Sequence, residues 1–168
     1  MNIELRQASE GDGGDVYEML QEMLPDENGF QNGAHGLSDA DFKVWLKRRV
    51  DFSLGKSLED WQVPENSYWL CIDGLPVGYG KLRHRLTEAL RKNGGHIGYG
   101  VRPSQRGKGY GSLILKLLLG KARELGIGEV LIDCLADNEP SRKVIEANGG
   151  VLERRTDKQI YYRVVFQG

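Results

Sequence analysis

The sequence predicts one α/β domain over residues 1–168, with a mixed, mostly antiparallel central sheet flanked by helices. Three observations lead there. Stretches of alternating polarity and stretches of helical periodicity follow one another in the order β α α β β β α β α β β. A glycine-rich join, Val101 to Ser112, carries an extended run directly into a helical one. Downstream, the near-continuous apolar run Glu129 to Leu135 suits a covered central strand, and an asparagine-led helix follows it.

The elements follow in order. Ile3 to Ala8 alternates, with Ile3 and Leu5 on one face, and reads as the first strand. Val16, Met19, Leu20 and Met23 recur at helical spacing, and Pro25 ends that helix. Asp26 to Gly36 reads as a loop, rich in Asn and Gly. Ser38-Asp39-Ala40-Asp41 starts a second helix that carries Phe42, Trp45, Leu46 and Arg49 on one face and ends near Phe52. Ser67 to Ile72 and Pro76 to Arg83 are strands joined by the hairpin signal Asp73-Gly74. Thr87 to Asn93 is a short helical or loop excursion, broken by Gly94-Gly95. His96 to Val101 is the fourth strand, with Ile97, Tyr99 and Val101 on one face and His96, Gly98 and Gly100 on the other. The third helix, Gly109 to Leu125, has a wide apolar face and stops at Gly126. Asn138 caps the fourth helix, with Pro140 in its first turn, and Asn148-Gly149-Gly150 closes it. Val151 to Arg154 and Ile160 to Phe166 make a final strand pair.

Composition narrows the function classes. The 23 Lys and Arg balance 24 Asp and Glu, so neither a nucleic acid nor a membrane surface is an expected partner. No apolar run approaches the length of a membrane span, and the first residues lack a signal-peptide pattern, so a cytoplasmic location is expected. Cys71 and Cys134 lie in apolar, strand-like runs and read as buried free thiols. His35, His84 and His96 have no metal-ligand spacing, and no metal is expected.

The join from Val101 to Ser112 carries the chemistry. Gly107, Gly109 and Gly111 at alternate positions let the main chain curl close to a ligand. The first amides of the following helix lack intrahelical partners and sit at the positive end of its dipole. Arg106 and Lys108 add full charges, and the sum is an anion cradle suited to phosphate. The P-loop pattern fails here, and so does the dinucleotide pattern G-x-G-x-x-G.

What remains, Arg106-x-x-Gly109-x-Gly111, resembles the pyrophosphate-binding signature Q/R-x-x-G-x-G/A of the GCN5-related N-acetyltransferases, the GNAT superfamily. The order of elements from Ile3 to Phe166 is similar to the GNAT fold. Gly94 to Tyr99, Arg106 to Gly111 and Ile145 to Val151 look like a group of bacterial acetyltransferases of unassigned substrate. The resemblance implies a transferase, an acyltransferase that moves an acetyl group from acetyl-CoA to an amine in a ternary complex. It implies pyrophosphate binding by the backbone of Arg106, Gly107, Lys108, Gly109, Tyr110, Gly111 and Ser112. Tyr99 and Val101 would offer main-chain groups to the pantetheine arm where two strands splay apart, Asn138 would hydrogen-bond that arm, and Ser141 would lie near the cofactor. Many relatives carry a tyrosine as general acid where this chain has Ile145, and Tyr99 and Tyr110 are the substitutes at hand.

An amine must lose its proton before it attacks. His96 is the first candidate base, since a histidine titrates near neutrality and the family often places its base on this strand; His84 is the second. His96 alternates away from Tyr99 and Val101, which also admits a structural role. A main-chain amide near Val101 could stabilise charge on the carbonyl oxygen. A small-molecule amine is the expected acceptor, because the region from Asp26 to Trp61 could close over a compact site. Glu22, Asp26 and Glu27 would attract a cationic amine if they faced it. The rival readings are a noncatalytic coenzyme A-binding sensor, an interaction domain, and an enzyme acting on protein lysines or N-termini. Pairing of C-terminal strands would give a homodimer.

Overall fold

The computed structural model describes residues 1–166. Strand β1 (Ile3–Gln7) leads through helix α1 (Gly14–Glu22) to a short hairpin, β2 (Asp26–Glu27) and β3 (Phe30–Gln31). Helix α2 (Asp39–Ser53) follows, then β4 (Glu65–Ile72), β5 (Leu75–Arg83), the single-turn α3 (Glu88–Lys92) and β6 (Ile97–Val101). A 3-10 turn (Pro103–Gln105) opens onto α4 (Tyr110–Glu124), β7 (Glu129–Leu135), α5 (Glu139–Ala147), β8 (Val151–Arg155) and β9 (Gln159–Val165).

Local chemistry accounts for the boundaries. Ser38 caps α2, its hydroxyl accepting the Asp41 N–H at 3.2 Å, and Asn138 caps α5, accepting the Ser141 N–H at 3.3 Å. Asp73 and Gly74 both take positive φ, +49° and +83°, the geometry of a type I′ hairpin turn. The expected loop at 26–36 contains the β2–β3 hairpin, again turned by a pair at positive φ, Asn28 and Gly29.

Every ladder among the described residues is antiparallel, and the expected central sheet is divided in two. One sheet runs β1-β4-β5-β6, the other β7-β9-β8. The division falls between β6 and β7, which meet at one end only. There the His96 N–H donates to the Leu131 carbonyl at 2.8 Å, and the Leu131 N–H donates to His96 Nδ1 at 3.0 Å. Beyond this clasp the strands part.

Apolar packing bridges the division. Leu70, Val77 and Leu82 of the first sheet share a core with Val130, Ile132 and Tyr162 of the second, through Ile114, Leu115 and Leu118 of α4. Helix α4 lies close against β5: a Cβ at Gly80 would sit 2.7 Å from Leu118 Cδ1. On the opposite face, α1 and α2 bury Met19, Leu20, Phe42 and Leu46 against Trp69 and Tyr79. Both cysteines are buried free thiols, as expected.

The clasp has a pH signature. Burial, reinforced by Arg91 and Arg83, pushes the His96 pKa down to about 4 from 6.5. A folded-state value below the unfolded one means that the neutral ring stabilises the fold fully above about pH 6.5. That contribution is lost as pH falls through 6.5 towards 4, and its ceiling is roughly 3 kcal/mol. His96→Asn keeps an acceptor near Nδ1 but does not titrate. The expected result, from denaturant melts at pH 7.5 and 4.5, is a smaller acid-induced loss in the variant than in wild type. Equal losses would remove His96 from the account.

Candidate active site

Past the clasp, the gap between β6 and β7 widens into a cavity of about 750 Å³, within the usual range for a small-molecule site. Its walls come from β6, β7, the start of α4, the start of α5 and the β2–β3 hairpin. Tyr99, Val101, Arg106, Gly107, Gly109, Tyr110, Gly111, Ser112, Asn138 and Ser141 all line it. The structure thus brings most of the sequence-derived candidates to one cleft. Lys108 and His96 are not on its wall: the Lys108 amine turns to Gln105 Oε1 at 3.0 Å, and His96 is spent on the clasp.

At one end lies the glycine cradle. Gly107 and Gly109 take φ of +78° and +82°, and Gly109 is the N-cap of α4. A Cβ on Gly109 would meet no protein atom within 4 Å, so the space above it is open to a ligand. Arg106 lies beside the cradle but is held, with Nε on the Val101 carbonyl at 3.1 Å and Nη2 on Glu27. The Val101 carbonyl, expected to be free for the pantetheine arm, thus already accepts one bond from a side chain of the same loop and has one lone pair left.

In the middle, where α5 begins, the Tyr99 hydroxyl stands 3.0 Å from Ser141 Oγ. Burial pushes the Tyr99 phenol up to about 12 and the Cys134 thiol up to about 11, so both hold their protons at neutral pH. Ile145 is fully buried in the core and presents no group to the cleft. Tyr110 packs against the same core.

At the far end is a second compartment. Gly98, Gly100 and Phe30 line it, the Phe30 ring resting on the two glycines, 3.8 and 3.5 Å from where their side chains would begin. Lys81, cross-strand from Gly98, stands on one wall, and Asp133 of β7 on the other. The Asp133 carboxylate accepts the Gly94 N–H at 2.7 Å. Burial nonetheless raises its pKa above the ordinary value, against the lowering effects of that bond and of Arg83. A carboxylate so placed is a better base than a solvated one.

The geometry runs against both histidines as bases. The His96 Nδ1 is used as an acceptor, its basicity is low, and its ring lies outside the cavity. His84 Nε2 is bonded to Asn66 Oδ1 at 2.8 Å, also outside it. Two of the acids thought available to a cationic amine are committed elsewhere. Glu22 accepts from the Ser104 N–H, the Ser104 hydroxyl and Arg102 Nε at 3.0, 2.9 and 3.2 Å, and Glu27 pairs with Arg106. Asp133 and Lys81 were missed. Their signal was a lone charge inside each apolar strand, Val-Leu-Ile-Asp133-Cys-Leu and Val-Gly-Tyr-Gly-Lys81-Leu.

A split sheet, a glycine cradle at a helix N-terminus beside the split, and a cavity running through it together define an acyltransferase architecture. The model of the acetyltransferase (GNAT) domain matches residues 2–151, and the chain belongs to that family. It is an acetyl-CoA-dependent N-acetyltransferase. No curated protein matches the chain. Among solved structures it is similar to RimL, a ribosomal L7/L12 alpha-N-protein acetyltransferase in complex with coenzyme A, at 18% identity and TM-score 0.71, covering 98% of this chain and 94% of that one. It is similar to the Campylobacter jejuni N-acetyltransferase PseH in complex with acetyl coenzyme A, at 12% identity and TM-score 0.66 over 99% and 100% of the two chains. A third likeness is to YncA, a putative acetyltransferase from Salmonella typhimurium with acetyl-CoA, at 15% identity and TM-score 0.64 over 97% and 93%. At these identities the likenesses bear on the fold. Among the described residues no group of His, Cys, Asp and Glu is arranged to hold a metal, and no helix is long and apolar enough to cross a membrane.

Proposed function

We propose that this enzyme acetylates the amine of a small acceptor held beside Phe30, with Asp133 as the general base. The observation that carries the reading is the single cavity joining the glycine cradle to the Asp133 compartment. The residues present fit acetyl-CoA. The backbone from Arg106 to Ser112 would hold its pyrophosphate, and the opening between Tyr99 and Cys134, with Asn138 above, would take the pantetheine arm. Bound there, acetyl-CoA supplies an activated thioester whose C–S bond is exchanged for a C–N bond.

The chain's own residues do the rest. The cleft holds two reactants in one orientation, which alone can be worth effective molarities of about 10⁵ M or more. Asp133 takes the proton of the attacking amine on a carboxylate oxygen. The Tyr99–Ser141 hydroxyl pair, in the middle of the cavity, is placed to hand a proton to the departing thiolate, the task given to a tyrosine where this chain has Ile145. A compact acceptor is favoured over a protein terminus because the hairpin walls the compartment.

The test is thermal unfolding with acetyl-CoA, coenzyme A and ATP, followed by thiol release from acetyl-CoA with an amine panel that includes N-terminal peptides. A ligand that binds only the folded state raises the melting temperature. The expected result is a rise with acetyl-CoA and none with ATP, then turnover on small amines. Binding without turnover on any amine would make the chain a sensor. Turnover confined to peptides would replace the acceptor class.

A further inference from the structure

Around Lys81 the nearby cations outnumber the carboxylates. Lys81, Arg83 and Arg49 converge on one carboxylate, Glu65, which Arg83 and Arg49 already share at 3.3 and 3.7 Å. Lys81 has no carboxylate within salt-bridge distance among the described residues. Its amine donates to the Gln31 carbonyl at 2.6 Å and lies 4.8 Å from the Phe30 ring centre and 5.4 Å from that of Tyr79. Three donor sites on an ammonium are not met by one carbonyl. The other charged groups are accounted for. Glu27 pairs with Arg106, Asp133 stands across the cleft, and exposed Asp26 lines only the adjoining cavity of about 400 Å³, which Lys81 also borders with His35 and Arg49.

We infer that the acceptor amine carries an anionic group, a carboxylate or a phosphate, and that Lys81 receives it. This rests on the acetyl-transfer reading of the same cleft. The acceptor then lies beside the Phe30 ring with its amine towards Asp133 and its anion towards Lys81. Burial pushes the Lys81 pKa down to about 8, since desolvation outweighs the attraction of Glu65. An anion at this position offsets that cost and holds the ammonium charged. Lys81 is thus a specificity residue, with no part in the proton transfer.

Matched acceptors test it: L-phenylalanine against 2-phenylethylamine for the carboxylate, O-phosphoethanolamine against ethanolamine for the phosphate. The wild-type enzyme is expected to prefer the anionic member of at least one pair by about tenfold or more in kcat/KM, the scale of one charge-assisted hydrogen bond. The pair that responds distinguishes the two anions. In Lys81→Met the preference falls to near one, chiefly through KM, and Lys81→Arg restores most of it. Labelling of Lys81 by trinitrobenzenesulfonate, read by mass spectrometry on the full chain, reports the site without turnover. The anionic member of the responding pair is expected to slow labelling severalfold at equal ionic strength, and its neutral partner is not. Turnover with no anion preference, a preference that survives Lys81→Met, or labelling equal with all four compounds overturns the inference. Absence of both acetyl-CoA binding and thiol release instead strikes the acetyl-transfer reading itself.

Discussion

Gly109→Val is expected to lower acetyl-CoA affinity by at least about a hundredfold, the largest binding effect of any single change in the cradle. Two costs combine. Gly109 sits at φ +82°, where a β-branched residue is strained by about 1–3 kcal/mol. Its Cβ would also project into the open space above the cradle, where the proposed function puts the phosphates. Gly109→Asn separates these costs, because asparagine tolerates the left-handed conformation but still fills the space. Calorimetric titration should show weak binding in both variants, with near-wild-type melting only for asparagine. Tight binding by a folded Gly109→Asn chain would move the phosphates elsewhere.

Asp133→Asn should reduce kcat/KM by about 10²–10⁴, the range for loss of a positioned general base. The pH profile carries the sharper signature. The raised pKa means that the basic form accumulates only as pH climbs through that value, so wild-type activity rises across it and is lost below it. In the variant that limb disappears, leaving only the limb set by the acceptor's own ammonium group. Stability should move the other way. For a carboxylate whose folded pKa is raised, ionisation opposes folding, so stability declines as pH rises from the unfolded to the folded value. Asparagine can still accept the Gly94 N–H, and the variant should melt no lower than wild type at pH 8. A wild-type rate in the variant would exclude Asp133 as the base.

Much of this site could be read in the chain because its signals are local. The spacing of Gly107, Gly109 and Gly111, the Asn138 cap and the Asp73-Gly74 turn each act over a few residues. What escaped depends on partners distant in sequence. His96 alternates away from Tyr99, which fits a structural role, but its partner Leu131 is 35 residues away. The hairpin that carries Phe30 and Gln31 is made of two-residue strands, too short for any periodicity to register, yet it walls the cavity opposite Asp133. Glu22 and Glu27 look like free acids until the fold brings Arg102 and Arg106 to them across 80 and 79 residues. Asp133 was hidden by the apolar run around it, which identifies a strand and says nothing of which neighbour that strand abandons.

The parting of β6 from β7 also bears on how the aperture is set. Along the open stretch the two sheets are held together by Ile114, Leu115 and Leu118 and their apolar neighbours, contacts with no directional preference. A hydrogen-bond ladder would fix the spacing in discrete steps; a packed seam fixes it by side-chain volume. Leu118 pressed against Gly80 then works as a shim, and its size helps decide how wide the two halves stand. Variation in substrate width within such a scaffold can therefore arise from buried residues that never touch a ligand.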